Sequence, residues 1–287
     1  MLSVIEEMSK TNQFSHLEQE IINYIFINSE EIAYMTITDL AKNTYSSNST
    51  IIRFCQKLGF NGYKDFKIAF IQDLEKNRTY KENIDVNIPF HIFSSPSEIS
   101  NNIKTVMSVS IETCYKNLDV KKLYKISEYI FNCRHVFCYA SGNSLINLQS
   151  FENKLIKLGV YLNIATIRWD AEPYSYYATQ KDCAIFLTYS ARNETYLKNA
   201  RILKSKRCPI IVITSNKDSE LAKIADFLLT IPHHESDIDN IAEFYSQTAF
   251  EYILNVTYSY IYKLHYEKNY EKKHKLNKLR LKKNKSN

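Results

Sequence analysis

Two groups of residues have the types and spacing for chemistry. The first is Asn48, Ser49, Ile52, Arg53 and Gln56, which at helical spacing share one face and offer amides, a hydroxyl, a guanidinium and an apolar tip. Such a mixture suits base edges and thymine methyls in a major groove. Lys57, Lys64 and Lys67 stand beside it, placed to neutralise phosphates and to supply affinity without sequence information. The second group is a pair of hydroxyl-rich loops, Ala140-Ser141-Gly142-Asn143-Ser144 and Thr188-Tyr189-Ser190-Ala191-Arg192-Asn193-Glu194-Thr195. Hydroxyls and backbone N–H groups gathered at a helix N-terminus make an anion site, because unpaired donors and the helix dipole both favour a phosphate there.

The first group needs a short, rigid helix to hold it. Thr36 is placed to cap a helix through Ile37, Leu40 and Ala41, with Asp39 completing a capping box. Asn43 to Ser46 read as a turn, and Ser47 as the cap of a second helix. In that helix Ile51, Phe54, Cys55 and Leu58 recur at i, i+3, i+4 and i+7 and face a core, and Gly59 sits where a helix ends.

The second group needs strands. Short apolar runs at His135–Ala140, Val160–Ala165, Cys183–Tyr189, Pro209–Thr214 and Phe227–Ile231 alternate with helical patterns. That alternation predicts a five-stranded parallel sheet covered on both faces, with ligands bound beyond the C-terminal ends of its strands. The first loop precedes a helix carrying Leu148, Phe151, Leu155 and Leu158; the second precedes one carrying Leu197, Ala200 and Leu203. Serines after strands also cap helices without binding anything, and this reading stays open for each loop. The last long helical pattern, with Phe250, Ile253, Leu254, Tyr258 and Ile261 on one stripe, fits either a dimer face or core packing.

Ser47, Ser49, Thr50, Ile51, Arg53 and Phe54, followed by Lys57, Leu58, Gly59, Phe60, Gly62, Tyr63, Asp65, Phe66 and Lys67, resemble the head of RpiR/MurR-type transcriptional regulators. There a Ser-x-Ala-Thr-Ile-x-Arg-Phe helix leads into Lys-Leu-Gly-Phe-x-Gly-Tyr/Phe-x-Asp/Glu-Phe-Lys, and Ser49 replaces the alanine. The two loops together resemble those of the SIS (sugar isomerase) domain, as do Ser219-Glu220-Leu221-Ala222, Ala225-Asp226 and Glu235. This second likeness covers roughly residues 108–262. It implies an all-α helix-turn-helix domain (1–77), a linker and connecting helix capped by Ser97 (78–107), a three-layer α/β SIS domain with flavodoxin-like strand order (108–265) and a basic tail (266–287).

The resemblance further implies an operator-DNA contact set of Ser47, Asn48, Ser49, Thr50, Ile52, Arg53, Gln56, Lys57 and Lys64. A phosphorylated-sugar set follows likewise: Ser141, Gly142, Asn143, Ser144, Ser190, Arg192, Asn193, Thr195 and Glu235. Helix-turn-helix proteins usually dock as dimers, so a homodimer or higher homo-oligomer is expected. Ala140 and Ala191 stand where the family has glycine, and either would strain a backbone that requires positive φ. Two other classes remain: an aldose–ketose isomerase using His233, His234 or Glu235 as base, and a regulator whose second domain serves only oligomerisation.

Composition narrows the field. The chain has 287 residues, enough for two domains, and a 45% hydrophobic fraction that supplies a sizeable core. The opening MLSVIEEMSK lacks a signal pattern and no apolar run approaches a membrane span, so a cytoplasmic protein is expected. Six scattered cysteines without ligand spacing predict reduced, mostly buried thiols, with no metal site and no cofactor. The net charge of +6 is a property of the tail, since residues 267–287 hold nine lysines and arginines against two glutamates. Read functionally, that tail adds non-specific attraction to DNA; read structurally, it is a solvated, partly disordered extension.

Overall fold

The computed structural model describes residues 4–8, 13–29, 31–79, 84–92, 94–166, 168–236 and 238–283. Linker residues 80–83 and 93 and tail residues 284–287, Lys285 included, lie outside the described residues. The chain divides into two compact units, Met1–Val106 and Met107–Asn287.

The first unit is all helical: α1 (Val4–Met8), α2 (His16–Ile27), α3 (Ile37–Asn43), α4 (Asn48–Lys57) and α5 (Tyr63–Thr79). Its core gathers Ile21 and Ile25 of α2, Leu40 of α3, Ile51, Phe54 and Cys55 of α4, and Phe66 and Phe70 of α5. Phe66 holds the middle, with ring centroids 5.9 Å from Phe54 and 5.8 Å from Phe70. A buried ring or branched side chain of this kind stabilises by roughly 1.5–3 kcal/mol. Local chemistry sets the helix ends. Thr36 and Asp39 form the expected capping box on α3, and the Ser47 hydroxyl accepts from Thr50 N–H (3.2 Å) at the start of α4. Gly59, at φ 87°, closes α4: its N–H donates to Gln56 and that of Phe60 to Cys55, a C-terminal lock that needs left-handed backbone.

A further helix, α6 (Pro96–Asn117), crosses the boundary between the units. Ser97 is not its cap, contrary to the sequence expectation. Ser95 and Glu98 form a reciprocal box, with Ser95 N–H donating to Glu98 (3.1 Å) and Glu98 N–H to Ser95 (3.2 Å). Pro96 then takes the first helical position, where its missing N–H has no role.

In the second unit, α7 (Val120–Asn132) leads into β1 (Val136–Tyr139), α8 (Gly142–Leu155), β2 (Leu162–Ile164), α9 (Arg168–Tyr177), β3 (Cys183–Leu187) and α10 (Glu194–Ser205). Then come β4 (Ile210–Thr214), α11 (Glu220–Ile224), β5 (Phe227–Thr230), α12 (Phe244–Leu264) and α13 (Tyr266–Lys283). All strand pairs are parallel and the order is β2-β1-β3-β4-β5, the flavodoxin-like order that the SIS resemblance implies. Alternate residues serve opposite faces. Val136, Cys138, Ile185, Leu187, Ile211 and Ile213 join the layer with α7, α8 and α12, whereas Phe137, Tyr139, Ala184, Phe186, Ile210 and Val212 join that with α9, α10 and α11. Both faces are thereby buried, which explains why the strands read as continuous apolar runs.

Several sequence readings resolve here. Phe250, Ile253, Leu254 and Ile261 of α12 pack into the core, so this stripe is core packing and not a dimer face. Residues expected to extend partly disordered form α13 instead. The six cysteines are free thiols, five of them buried. Burial pushes Cys55 and Cys208 up to about 12, far from the reactive thiolate. Among the described residues there is no cluster of potential metal ligands, and no helix is long and apolar enough to cross a membrane.

Candidate functional site

The face of α4 opposite its core stripe is open. Ser47, Asn48, Ser49, Arg53, Gln56, Lys57 and Lys64 are exposed, Thr50 is half-buried, and Ile52 keeps 39% of its surface. The Ser47 hydroxyl lies 2.8 Å from that of Ser49 and 2.9 Å from that of Thr50, so these three form one polar knot at the helix start. Among the described residues Arg53 folds back through a 3.4 Å bond from its Nε to the Ser49 carbonyl, leaving its other guanidinium donors to reach outward. Lys57 is different: its ammonium pairs with Glu18 at 2.8 Å. Lys67 likewise donates to the Met35 carbonyl (3.2 Å). Two of the three lysines read as phosphate contacts are thus engaged within the head. Sequence inspection missed Tyr45, in the turn between α3 and α4, which is 96% exposed at φ 49°. A bulky residue held in the left-handed region in a turn costs on the order of 1 kcal/mol and marks a position worth testing.

At the C-terminal ends of the strands, a cleft of about 280 Å³ gathers six of the nine residues assigned to ligand binding: Ser141, Gly142, Asn143, Ser144, Ser190 and Glu235. Ser141 is the N-cap residue of α8, yet its hydroxyl makes no capping bond, and Gly142 takes φ 56° to begin the helix. The Ser141 side chain thus leaves the first-turn N–H groups of α8 open, which suits an anion. Helix α10 is closed: Asn193 Oδ1 accepts from the N–H of Thr195 (2.9 Å) and Tyr196 (3.4 Å). Asn193 and Thr195 line a separate hollow beside Tyr196, and Arg192 lines a third beside Asn216 and His233. Ala191 adopts φ 53°, the left-handed conformation its family glycine would take without strain, whereas Ala140 does not.

Glu235 forms the floor. It is 4% exposed, and its Oε1 accepts from the N–H of both Tyr245 and Ser246 at 2.9 Å, capping α12. Its Oε2 and the Ser246 hydroxyl are buried and have no partner among the described residues. Tyr189 clasps the same loop, its hydroxyl accepting from Glu235 N–H (2.8 Å) and donating to the Glu235 carbonyl (3.2 Å). The two histidines point elsewhere. His233 sits 3.0 Å from the Ser215 hydroxyl and stacks on Tyr189, while His234 packs edge-on to Tyr245. Glu243, Ser246 and Gln247 complete the far wall. Asn143 donates to Glu243 and Asn147 to Gln247, tying α8 to α12 across the opening. These wall residues escaped the sequence reading, although their i, i+3, i+4 spacing makes a polar stripe at the head of an otherwise apolar helix.

Comparison with known proteins agrees with both units. Residues 1–77 match the helix-turn-helix domain of the rpiR family, and residues 129–256 match the SIS domain. An HTH-type transcriptional regulator of Clostridium perfringens is 25% identical over 256 residues, 89% of this chain and 90% of its own. Among solved structures, the Vibrio vulnificus NanR protein complexed with ManNAc-6P superposes with a TM-score of 0.59 at 20% identity, covering 96% of this chain and 97% of that one. The sugar isomerase domain of an RpiR transcription factor from Sphaerobacter thermophilus gives 0.56 at 14% identity over 63% of this chain and 99% of that one. With an rpiR-family head in front of a SIS domain, the chain belongs to the RpiR-type transcriptional regulators.

Proposed function

We propose that the protein binds operator DNA as a homodimer through the open face of α4 and senses a phosphorylated sugar in the cleft between α8 and α12. The single observation that carries the sensor half is the cleft itself. One end offers the uncapped N-terminus of α8 with the Ser141, Ser144 and Ser190 hydroxyls, which suits a phosphate; the other offers the unpartnered Glu235 Oε2 and Ser246 Oγ, which suit sugar hydroxyls. The similarity to a NanR protein solved with ManNAc-6P supports a ligand of this class. Signalling requires that the ligand bind the DNA-competent and DNA-incompetent states unequally, because equal affinity shifts nothing.

Turnover is not part of this proposal. An isomerase needs a base at the carbon-bound proton, and Glu235 Oε2 is the one observation that favours it; its partner oxygen, however, is committed to capping α12. Selection of bound duplexes from a random pool, followed by titration with hexose and hexosamine phosphates, tests the reading. The expected outcome is a preferred sequence, a raised melting temperature with one sugar phosphate and a changed duplex affinity. A folded protein that responds to no member of the panel would leave the second domain as an oligomerisation module. A measurable isomerase rate abolished by Glu235→Gln would make it an enzyme.

A further inference from the structure

The helix-turn-helix head is short of positive charge. Residues 1–77 carry ten acidic residues against seven lysines and arginines, a net −3, and Lys57 and Lys67 are held by Glu18 and Met35. A duplex presents about one negative charge per 1.7 Å of axis, and counterion release follows the number of cations that meet its phosphates, to which the two held lysines contribute little. The missing charge lies in the last helix. Residues 267–287 carry a net +7, and α13 orders the first part of that run.

α13 is docked along one line and bare along another. Asn269 is buried and donates to the Tyr262 carbonyl (3.0 Å), Lys272 donates to the Leu158 carbonyl (3.0 Å), and Lys273 lies over the Tyr262 ring at 6.0 Å. Lys268, Lys275 and Lys278 are exposed, and no hydrogen bond or ion pair engages them among the described residues. At about 100° per residue these three fall within one third of the helix circumference, an arc that also holds Glu271 and starts about 40° from the docked Lys272. Over 18 residues the helix extends roughly 27 Å, long enough to follow several phosphates.

We propose that this outer face of α13 is a second DNA-binding surface, which takes duplex phosphates without regard to sequence and supplies the electrostatic affinity that the head lacks. It rests on the reading of the protein as a DNA-binding regulator, and the test separates the two. Lys268→Gln, Lys275→Gln and Lys278→Gln are combined in the full chain, leaving the docked Asn269 and Lys272 intact, and unchanged thermal unfolding verifies the fold. Affinity is measured against salt concentration on the selected duplex and on a scrambled one, with Arg53→Ala in parallel. The salt slope should fall by about 2 to 3 on both duplexes, with affinity near 0.1 M salt lowered roughly 10- to 100-fold on each. Arg53→Ala should weaken only the selected duplex. An unchanged slope in the triple variant, with Arg53→Ala still harmful, would overturn the α13 surface and leave the head's role intact. A reduced slope with Arg53→Ala harmless would do the reverse.

Discussion

Glu235→Ala removes a carboxylate that caps α12 with two backbone hydrogen bonds of 2.9 Å, in a site 4% exposed. Hydrogen bonds to a charged group contribute about 1.5–3 kcal/mol each, and the negative charge near a helix N-terminus adds about 0.3–1 kcal/mol. Against this, alanine relieves the burial of a carboxylate whose Oε2 has no partner among the described residues, worth about 1–3 kcal/mol. Taken at mid-range the net loss is about 3 kcal/mol, or roughly 6–12 °C in Tm for a unit of this size. Glu235→Gln keeps an acceptor for Tyr245 and Ser246 N–H and gives up only the charge, so about 1 kcal/mol is expected. Urea and thermal unfolding followed by circular dichroism read the stability of both variants, and calorimetry with the sugar phosphate reads the ligand. Glutamine replaces the acceptor Oε2 with a donor, so ligand affinity should fall even where the fold survives. The reasoning fails if alanine leaves Tm within about 1 °C of the parent, or if glutamine is as harmful as alanine.

Three further predictions concern other parts of the molecule. Lys64→Ala, at an exposed position beside α4, should weaken binding evenly across sequences and lower the salt slope by about one in filter-binding titrations. Glu18→Gln should free Lys57 while keeping an acceptor for the Ser15 N–H bond of its capping box (2.7 Å), and so raise the salt slope by about 0.9 on any duplex. Burial alone would raise the Asp182 pKa, yet donors from Thr179 N–H (2.8 Å), the Thr179 hydroxyl (2.7 Å) and His135 (2.9 Å) outweigh it and hold the carboxyl below its ordinary value. Its stabilisation is therefore full above the ordinary carboxylate value and is lost as pH falls through the lowered one. Asp182→Asn should cost about 1–2 kcal/mol at neutral pH, with the gap to the parent closing in unfolding curves taken as pH falls through the lowered carboxyl value.

What the sequence made legible was local or periodic. The caps at Thr36 and Ser47 follow from chemistry within four residues, and the five strands follow from five apolar runs divided by helical patterns, whereas their order came from the family resemblance. Where two local signals competed, the reading slipped: Ser95 and Ser97 both precede a helix, and only the reach of Glu98 back to Ser95 decides between them. Contacts across long separations were out of reach. Lys57 meets Glu18 across 39 residues, and Asn143 meets Glu243 across 100. Asn193 illustrates a different limit, since its amide oxygen can serve a ligand or two backbone N–H groups, and only the geometry shows it spent on the latter.

That closure of α10, set against the open start of α8, has a consequence for the choice of effector. Under the proposed function the cleft offers an anion the open start of α8, and the neighbouring helix α10 has already filled its own with an asparagine. A second phosphoryl group would find the start of α10 already closed, and at the opposite end of the cleft the carboxylate floor would repel the extra charge. The cleft thus imposes polarity on its guest: one phosphorylated terminus, one hydroxyl-bearing terminus, and one way round.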